Sequence, residues 1–311
     1  MTIPDKLYKY CPVTQNSLSS ALNAKLYYSL PTAFNDPLDC NPSIVVDIHS
    51  YKMIALLEKV MADDGCIKSE IEEEINRIYY FSTEVELFDD TENYEKAVSA
   101  NIATEVRRRL RFEYGRKGVL ALTESWDNPL LWSHYAAQHQ GICIEYNVDT
   151  RATEIVRPVN YHAPRSIFAS DMFAWKCESN EVSRKRVYDT YFYAKAPQWG
   201  YEKEWRIVNE KSGIRQSDLS MSAIYFGMKV SPVWKWMLAK TLNSDQDVIL
   251  YEVFADEETF DLQRREVERG ELESRGINRP AFSVFENFMT EEEIAGLTVG
   301  ERAVKNIDLK A

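Results

Sequence analysis

The stretch "WGYEKEWRIV", Trp199 to Val208, ends as a buried strand would, yet it carries charges in alternation. A strand turns successive side chains to opposite faces. Glu202, Glu204 and Arg206 are therefore expected on one face, with Lys203, Trp205 and Ile207 on the other. Either the charged face is open to water or it lines a site. The two glutamates would stand about 7 Å apart at their Cα atoms, twice the strand rise, close enough to act on neighbouring atoms of one substrate. If they are buried, their repulsion raises the pKa of one of them. The plainer expectation is a surface ion pair between Glu204 and Arg206, contributing under ~1 kcal/mol.

Working outward, the segments on either side spell a mixed fold. "KLYKY" (Lys6 to Tyr10) reads as a strand, and "TQNSLSSALNAK" as a helix with Thr14 or Asn16 at its cap. "LYYSLPTAFNDPLDC" reads as a strand running into a turn, because Asn35 and Asp36 bond their own backbone and Pro37 fixes φ. In that strand Tyr27 and Ser29 face one way and Tyr28 the other; they can frame a planar ligand or simply pack across strands. From about residue 47 to 117 the periodicity is helical and the charge high. "GVLALTES" returns to strand. "DNPLLWSHYAAQHQG" reads as a helix capped by Asn128, with Pro129 in its first turn and Gly141 at its end. "GICIEYNV", "RPVNYHA", "AIYFGMKV", "VILYEVFAD" and "TFDLQRREV" read as strands, the last two paired. "VSRKRVYDTYFYAK" and "SPVWKWMLAKTL" read as helices, and "TEEEIAGL" as a short one capped by Thr290. The expected fold is α+β, with a mixed or split central sheet and flanking helices. Residues 1–270 form one domain with a helical insertion at about 47–117, and 271–311 form an appendage.

Composition bounds the function. The net charge of −12 argues against non-specific nucleic-acid binding. The one dense basic run, "RRRLRFEYGRK" (Arg107 to Lys117), is expected to be the solvated end of a helix. The five cysteines are odd in number and lack C-x-x-C spacing, so neither a disulfide framework nor a cysteine zinc site is expected. The chain starts without an apolar signal segment and has no run of ~20 apolar residues, so a cytoplasmic location with no membrane contact is expected.

There is no G-x-G-x-x-G, phosphate-loop motif, G-x-S-x-G or H-E-x-x-H. His49, His134, His139 and His162 lack ligand spacing, and no metal site is expected. Trp132 and Tyr135 read as core, with His134 between them able to project toward a cleft. A metal-dependent hydrolase or nuclease using Asp36, Asp39, His134, Glu145 and Glu204 is an alternative, since carboxylates and a histidine bind hard or borderline cations.

Several segments together resemble DUF2971, a bacterial family of unknown function. They are "LYKY", "LYYSLPTAFNDPLD", "VLALTESWDNPLLWSHYAAQHQGICIEY", "YEKEWRIV" and "IYFGMKVSP", with "FNDPLD", "WSHY" and "EKEWR" as the specific parts. More distantly, the order of strand, helix, strand with aromatic and serine, and later strand with E-x-E is similar to the ADP-ribosyltransferase superfamily. That similarity implies an NAD cleft built without a glycine fingerprint. In it Lys9 contacts the cofactor, Ser29 with Tyr27 or Tyr28 supports the nicotinamide ribose, and Glu204 bonds the ribose hydroxyl. Glu202 orients the acceptor, a protein or nucleic acid. Asn35, Trp132, His134, Tyr135 and Arg206 complete the implied cofactor-binding set. A fixed carboxylate beside a ribose that gains positive charge is worth more in the transition state than in the ground state. The function so implied is an NAD-dependent ADP-ribosyltransferase or NAD glycohydrolase acting as an intracellular effector or defence protein. The other alternative is a non-catalytic module of a defence or stress system that binds a nucleotide or small molecule.

Overall fold

The computed structural model describes residues 2–14, 17–18, 21, 25–84, 91–242 and 248–274. The strands are β1 (Lys6–Cys11), β2 (Lys25–Tyr28), β3 (Ser43–Val45), β4 (Gly118–Thr123), β5 (Ile142–Asn147), β6 (Arg157–Pro158), β7 (Ser166–Phe168), β8 (Glu204–Asn209), β9 (Gly213–Gln216), β10 (Ser220–Phe226), β11 (Ile249–Ala255) and β12 (Leu262–Glu266). The helices are α1 (Ser50–Asp63), α2 (Lys68–Glu84), α3 (Thr91–Tyr114), α4 (Pro129–Tyr135), α5 (Ala152–Ile155), α6 (Ala169–Glu178), α7 (Glu181–Tyr193), α8 (Pro232–Thr241) and α9 (Arg269–Ser274). Among the described residues no helix is long and apolar enough to cross a membrane. The expected Thr290 helix and most of the expected helix after Thr14 lie outside the described residues.

One domain was expected through residue 270; the chain divides into two compact units. Unit 1 comprises Met1–Lys9, Gln15–Trp126 and Glu145–Met221, and unit 2 comprises Tyr10–Thr14, Asp127–Ile144 and Ser222–Ala311. Both parallel and antiparallel strand pairs occur, so the architecture is mixed α and β with a mixed sheet and flanking helices.

In unit 1 the strand order is β5-β1-β4-β8-β6. β4 and β8 run antiparallel from Gly118↔Asn209 to Thr123↔Glu204. The antiparallel pair β2–β9 and the parallel pair β3–β7 form two smaller sheets. The helical stretch expected at about 47–117 contains α1, α2 and α3. In α1 Met53, Leu56, Leu57, Val60 and Met61 recur at the three- and four-residue spacing of one helix face, and all are buried. They join Val98, Ile102, Val106 and Leu110 of α3 in one core. Each such side chain contributes about 1.5–3 kcal/mol on burial. Tyr114 ends this seam against the rings of Trp175, Tyr188, Tyr191 and Phe192.

Gly118 opens β4 where no side chain fits: a Cβ there would lie 2.6 Å from Tyr28 Cβ and 2.7 Å from the Lys211 carbonyl oxygen. Gly118→Ala should lower stability by about 1–3 kcal/mol, as overpacking does. A urea midpoint equal to that of the unaltered chain would contradict this packing.

In unit 2 the strand order is β12-β11-β10-β5-β1. β10 and β11 are parallel, and β11 and β12 form the expected pair, antiparallel from Tyr251↔Glu266 to Ala255↔Leu262. Asn128 caps α4 by accepting from the Leu130 N–H at 2.9 Å, with Pro129 following, as its sequence dictates. The helix stops at Tyr135, however, short of the expected Gly141. Ala137, Gln138 and His139 are left-handed, with φ of 46°, 56° and 69°. Gly141 serves instead as a point of close approach, since a Cβ on it would lie 2.3 Å from the Cys11 carbonyl oxygen.

Candidate functional site

The charged face of β8 is not open to water. Glu204 and Arg206 on one face are 5% and 0% exposed, and Trp205 and Ile207 on the other are equally buried. The expected surface ion pair is therefore a pair in the interior. It belongs to a cluster with Asp39, Lys195 and Glu202, all within unit 1 and all buried. Arg206 Nε donates to Glu204 Oε1 at 2.6 Å and Nη2 to Oε2 at 3.0 Å. Its Nη1 and Nη2 also fork onto Asp39 at 2.9 and 2.5 Å, and Nη1 reaches the Phe192 carbonyl at 2.7 Å. Lys195 Nζ donates to Glu202 Oε2 at 2.5 Å and Glu204 Oε2 at 2.7 Å.

Four pieces of sequence meet here. The "FNDPLD" turn supplies Asp39. Its Asn35 Oδ1 accepts from the Asp36 N–H and Asp36 Oδ1 from the Leu38 N–H, the turn chemistry its sequence implies. The segment after α7 supplies Lys195, and β8 supplies Glu204 and Arg206. Glu202 does not stand on the strand, as alternation would have it. It ends a 3-10 turn (Pro197–Glu202), and Lys203, left-handed at φ 44°, turns the chain into β8. Both carboxylates still converge on one ammonium. Two hydroxyls hold the corner: Thr123 Oγ1 donates to the Glu202 carbonyl at 2.5 Å, and Tyr161 Oη accepts from the Glu204 N–H at 2.8 Å. Cys40, next to Asp39, is also left-handed at φ 49°. Strained backbone on both acid-bearing segments is a mark of functional sites.

The electrostatics follow from burial and pairing. Burial alone would raise the Glu204 acid, but Arg206 and Lys195 outweigh it and pull the pKa down to about 2. Burial works against the Lys195 ammonium too, but Glu204, Glu202 and Asp39 hold it protonated, well above the usual lysine range. Burial pushes the Cys40 thiol up, against the opposing pull of Arg206. Burial likewise takes the Tyr161 phenol up to about 12.

Within unit 1 the residues assigned from the sequence are not gathered in one place. Tyr8, Thr123 and Glu204 occupy one cross-strand row, so Lys9, the residue after Tyr8, belongs to the opposite sheet face from Glu204. Its Nζ donates to the Ala121 carbonyl at 2.9 Å. Ser29 bridges Val119, four positions along β4 from Thr123 and so about 13 Å away along the strand. Tyr28 is buried beneath Gly118 and Tyr27 is exposed. Asn35 lies exposed in the turn that supplies Asp39. Trp132, His134 and Tyr135 belong to unit 2, where Trp132 packs edge-on against Tyr10 at 5.1 Å and His134 is exposed. Of the set named for a metal, Asp39 and Glu204 are taken up by Arg206, Glu145 accepts from Lys6 at 2.6 Å, and Asp36 Oδ2 accepts from Trp199 Nε1 at 2.8 Å. Among the described residues no three histidine, cysteine or carboxylate side chains are placed to hold a metal ion.

Sequence reasoning missed Lys195, Tyr161 and Trp199. Lys195 carries a visible mark, a lone cation in the aromatic run "YFYAKAPQW". Its ammonium lies 5.3 Å from the centre of the Trp199 ring.

Residues 131–207 match the family model described as "Protein of unknown function (DUF2971)". This supports the DUF2971 resemblance and covers Tyr161, Lys195, Glu202, Glu204 and Arg206. No match was found among curated proteins or among solved structures, so these comparisons lend no support to an ADP-ribosyltransferase relationship.

Proposed function

We propose that this chain is a ligand-binding or regulatory protein that holds its ligand without consuming it, with the buried ion cluster as the rigid frame behind the binding surface. The observation that carries this reading is the burial and neutralisation of Glu204: it is 5% exposed, both its oxygens accept from Arg206, and one also accepts from Lys195. A carboxylate that acts on a ribose hydroxyl must offer an oxygen to it. Here the carboxylate is buried and already paired with two cations, and breaking such a pair to bring it to a ligand costs about 3–5 kcal/mol. The frame presents polar and aromatic groups at the surface: Asn35 exposed, with Asp36 and Trp199 half-buried and bonded to each other. Such groups orient small ligands.

ADP-ribosyl transfer or NAD hydrolysis is the second reading, favoured by the convergence of Glu202 and Glu204 on one ammonium. It requires Lys195 to release Glu204 when NAD arrives. Melting curves with NAD, ADP-ribose and ADP, run beside an assay of nicotinamide release, separate the two. The first reading expects stabilisation by at least one of these ligands, about 2.7 kcal/mol at a hundredfold excess over Kd, with no nicotinamide released. Release that disappears in a folded Glu204→Gln chain would overturn it in favour of the second, and no stabilisation by any of them would remove its nucleotide form.

A further inference from the structure

Among the described residues, three arginines of unit 1 gather with no carboxylate bonded to them. Other arginines of the unit are paired: Arg108 and Arg109 share Glu105, Arg186 meets Asp171, and Arg206 meets Asp39. Arg107, Arg111 and Arg165 differ. Arg107 donates through Nε to the Pro42 carbonyl and through Nη2 to Asn41 Oδ1, both at 2.8 Å. Arg165 donates through Nη2 to the Asn41 carbonyl at 3.2 Å. Asn41 thus accepts from both guanidiniums, and Pro42 from that of Arg107. Arg111 follows Arg107 by one turn on the same face of α3. Among the described residues none of the three forms an ion pair, and Arg111 donates to no protein group.

This arrangement is unfavourable for the bare chain. Burial of Arg107, together with the charges of Arg111 and Arg165, lowers its hold on its proton. The chain has 49 acidic residues against 37 basic ones, so carboxylates abound, yet among the described residues none pairs with these three. The helix dipole accounts for Arg111 in the last turn of α3 but not for Arg165, which lies outside that helix.

We propose that Arg107, Arg111 and Arg165 form a binding site for the phosphate groups of a small phosphorylated ligand, with Asn41 and Pro42 fixing two of the three guanidiniums. Guanidinium forks match phosphate oxygens in pairs, and the unused donors of three of them suit a doubly charged group. An extended polyanion is a poorer fit, because a net charge of −12 repels a long phosphate chain. Asn41 follows Asp39 by two residues, so the turn that enters the ion cluster also leads to this site. The inference does not depend on what the cluster itself binds.

Calorimetric titration of the full chain with inorganic pyrophosphate, which has neither ribose nor nicotinamide, tests the site apart from any nucleotide activity. Saturable binding is expected at low ionic strength. Arg111→Gln and Arg165→Gln should each weaken it about tenfold. Arg184→Gln, which removes only a pair with Glu181, should leave it unchanged. Melting curves establish that the variants fold. Equal binding by the Arg111 and Arg165 variants and the unaltered chain overturns the proposal. So does the absence of saturable binding, or tighter binding of a single-stranded oligonucleotide than of pyrophosphate at the same ionic strength.

Discussion

Replacing Arg206 with methionine should cost about 3–5 kcal/mol of stability, the range for removing one member of a buried charge pair. Methionine fills much of the arginine volume, so the loss is not chiefly one of packing. It comes from Asp39 and Glu204, which would stay buried after losing the donors that fork onto both. The Phe192 carbonyl loses its donor as well. Domains of this kind hold roughly 5–15 kcal/mol in total, so about a fifth or more of the margin would go. Arg206→Lys restores the charge without the fork and should recover only part of it. Urea unfolding at neutral pH, followed by tryptophan fluorescence, measures the difference. Arg77→Met, which breaks an exposed pair with Glu74, sets the contrast at under ~1 kcal/mol. A loss of that smaller size at Arg206 would mean the cluster is not held as its geometry indicates.

The strand at Glu204–Asn209 was legible because its residues alternate, and so was the placing of Glu204 and Arg206 on one face. Its depth was not legible. Alternating charge ordinarily marks a half-exposed strand, and that rule fails where the charges neutralise one another inside. Of the groups that do so, Asp39 is remote in sequence and Lys195 precedes the strand by nine residues, and the tertiary fold brings both to it. Glu202 reached the expected neighbourhood by an unexpected route, because a 3-10 turn and a left-handed Lys203 replaced the first residues of the presumed strand. Helix α1 was legible in full, since its buried positions follow one period without interruption. The end of α4 was not: "AAQHQG" favours helix locally, while the tight approach of Gly141 to Cys11 requires the chain to turn earlier. The separation of Lys9 from Glu204 depended on strand register, which pairing decides and a single segment does not show.

Acid should expose the state of Glu204. Burial would raise its pKa from 4.5, but Arg206 and Lys195 outweigh that and bring it down to about 2. The folded chain therefore takes up this proton less readily than the unfolded chain. The resulting stabilisation is complete above the unfolded value of 4.5 and is lost as pH falls through the folded value near 2. The gap corresponds to roughly 3 kcal/mol at neutral pH, and about 2 kcal/mol of that is gone by pH 3. Glu105 and Glu252, also depressed although burial opposes it, steepen the whole profile. The difference between the unaltered chain and Glu204→Gln isolates the one carboxylate. The glutamine chain should be less stable at pH 6, and the two should draw together toward pH 3 in urea midpoints. Should the glutamine chain fail to fold, carboxyl carbon shifts of the unaltered chain followed by NMR against pH give the same answer. Parallel profiles, or a carbon that titrates near 4.5, would mean Glu204 is not held ionised by its cations. The pairing of Glu204 with its cations, which favours binding over catalysis, would fall with it.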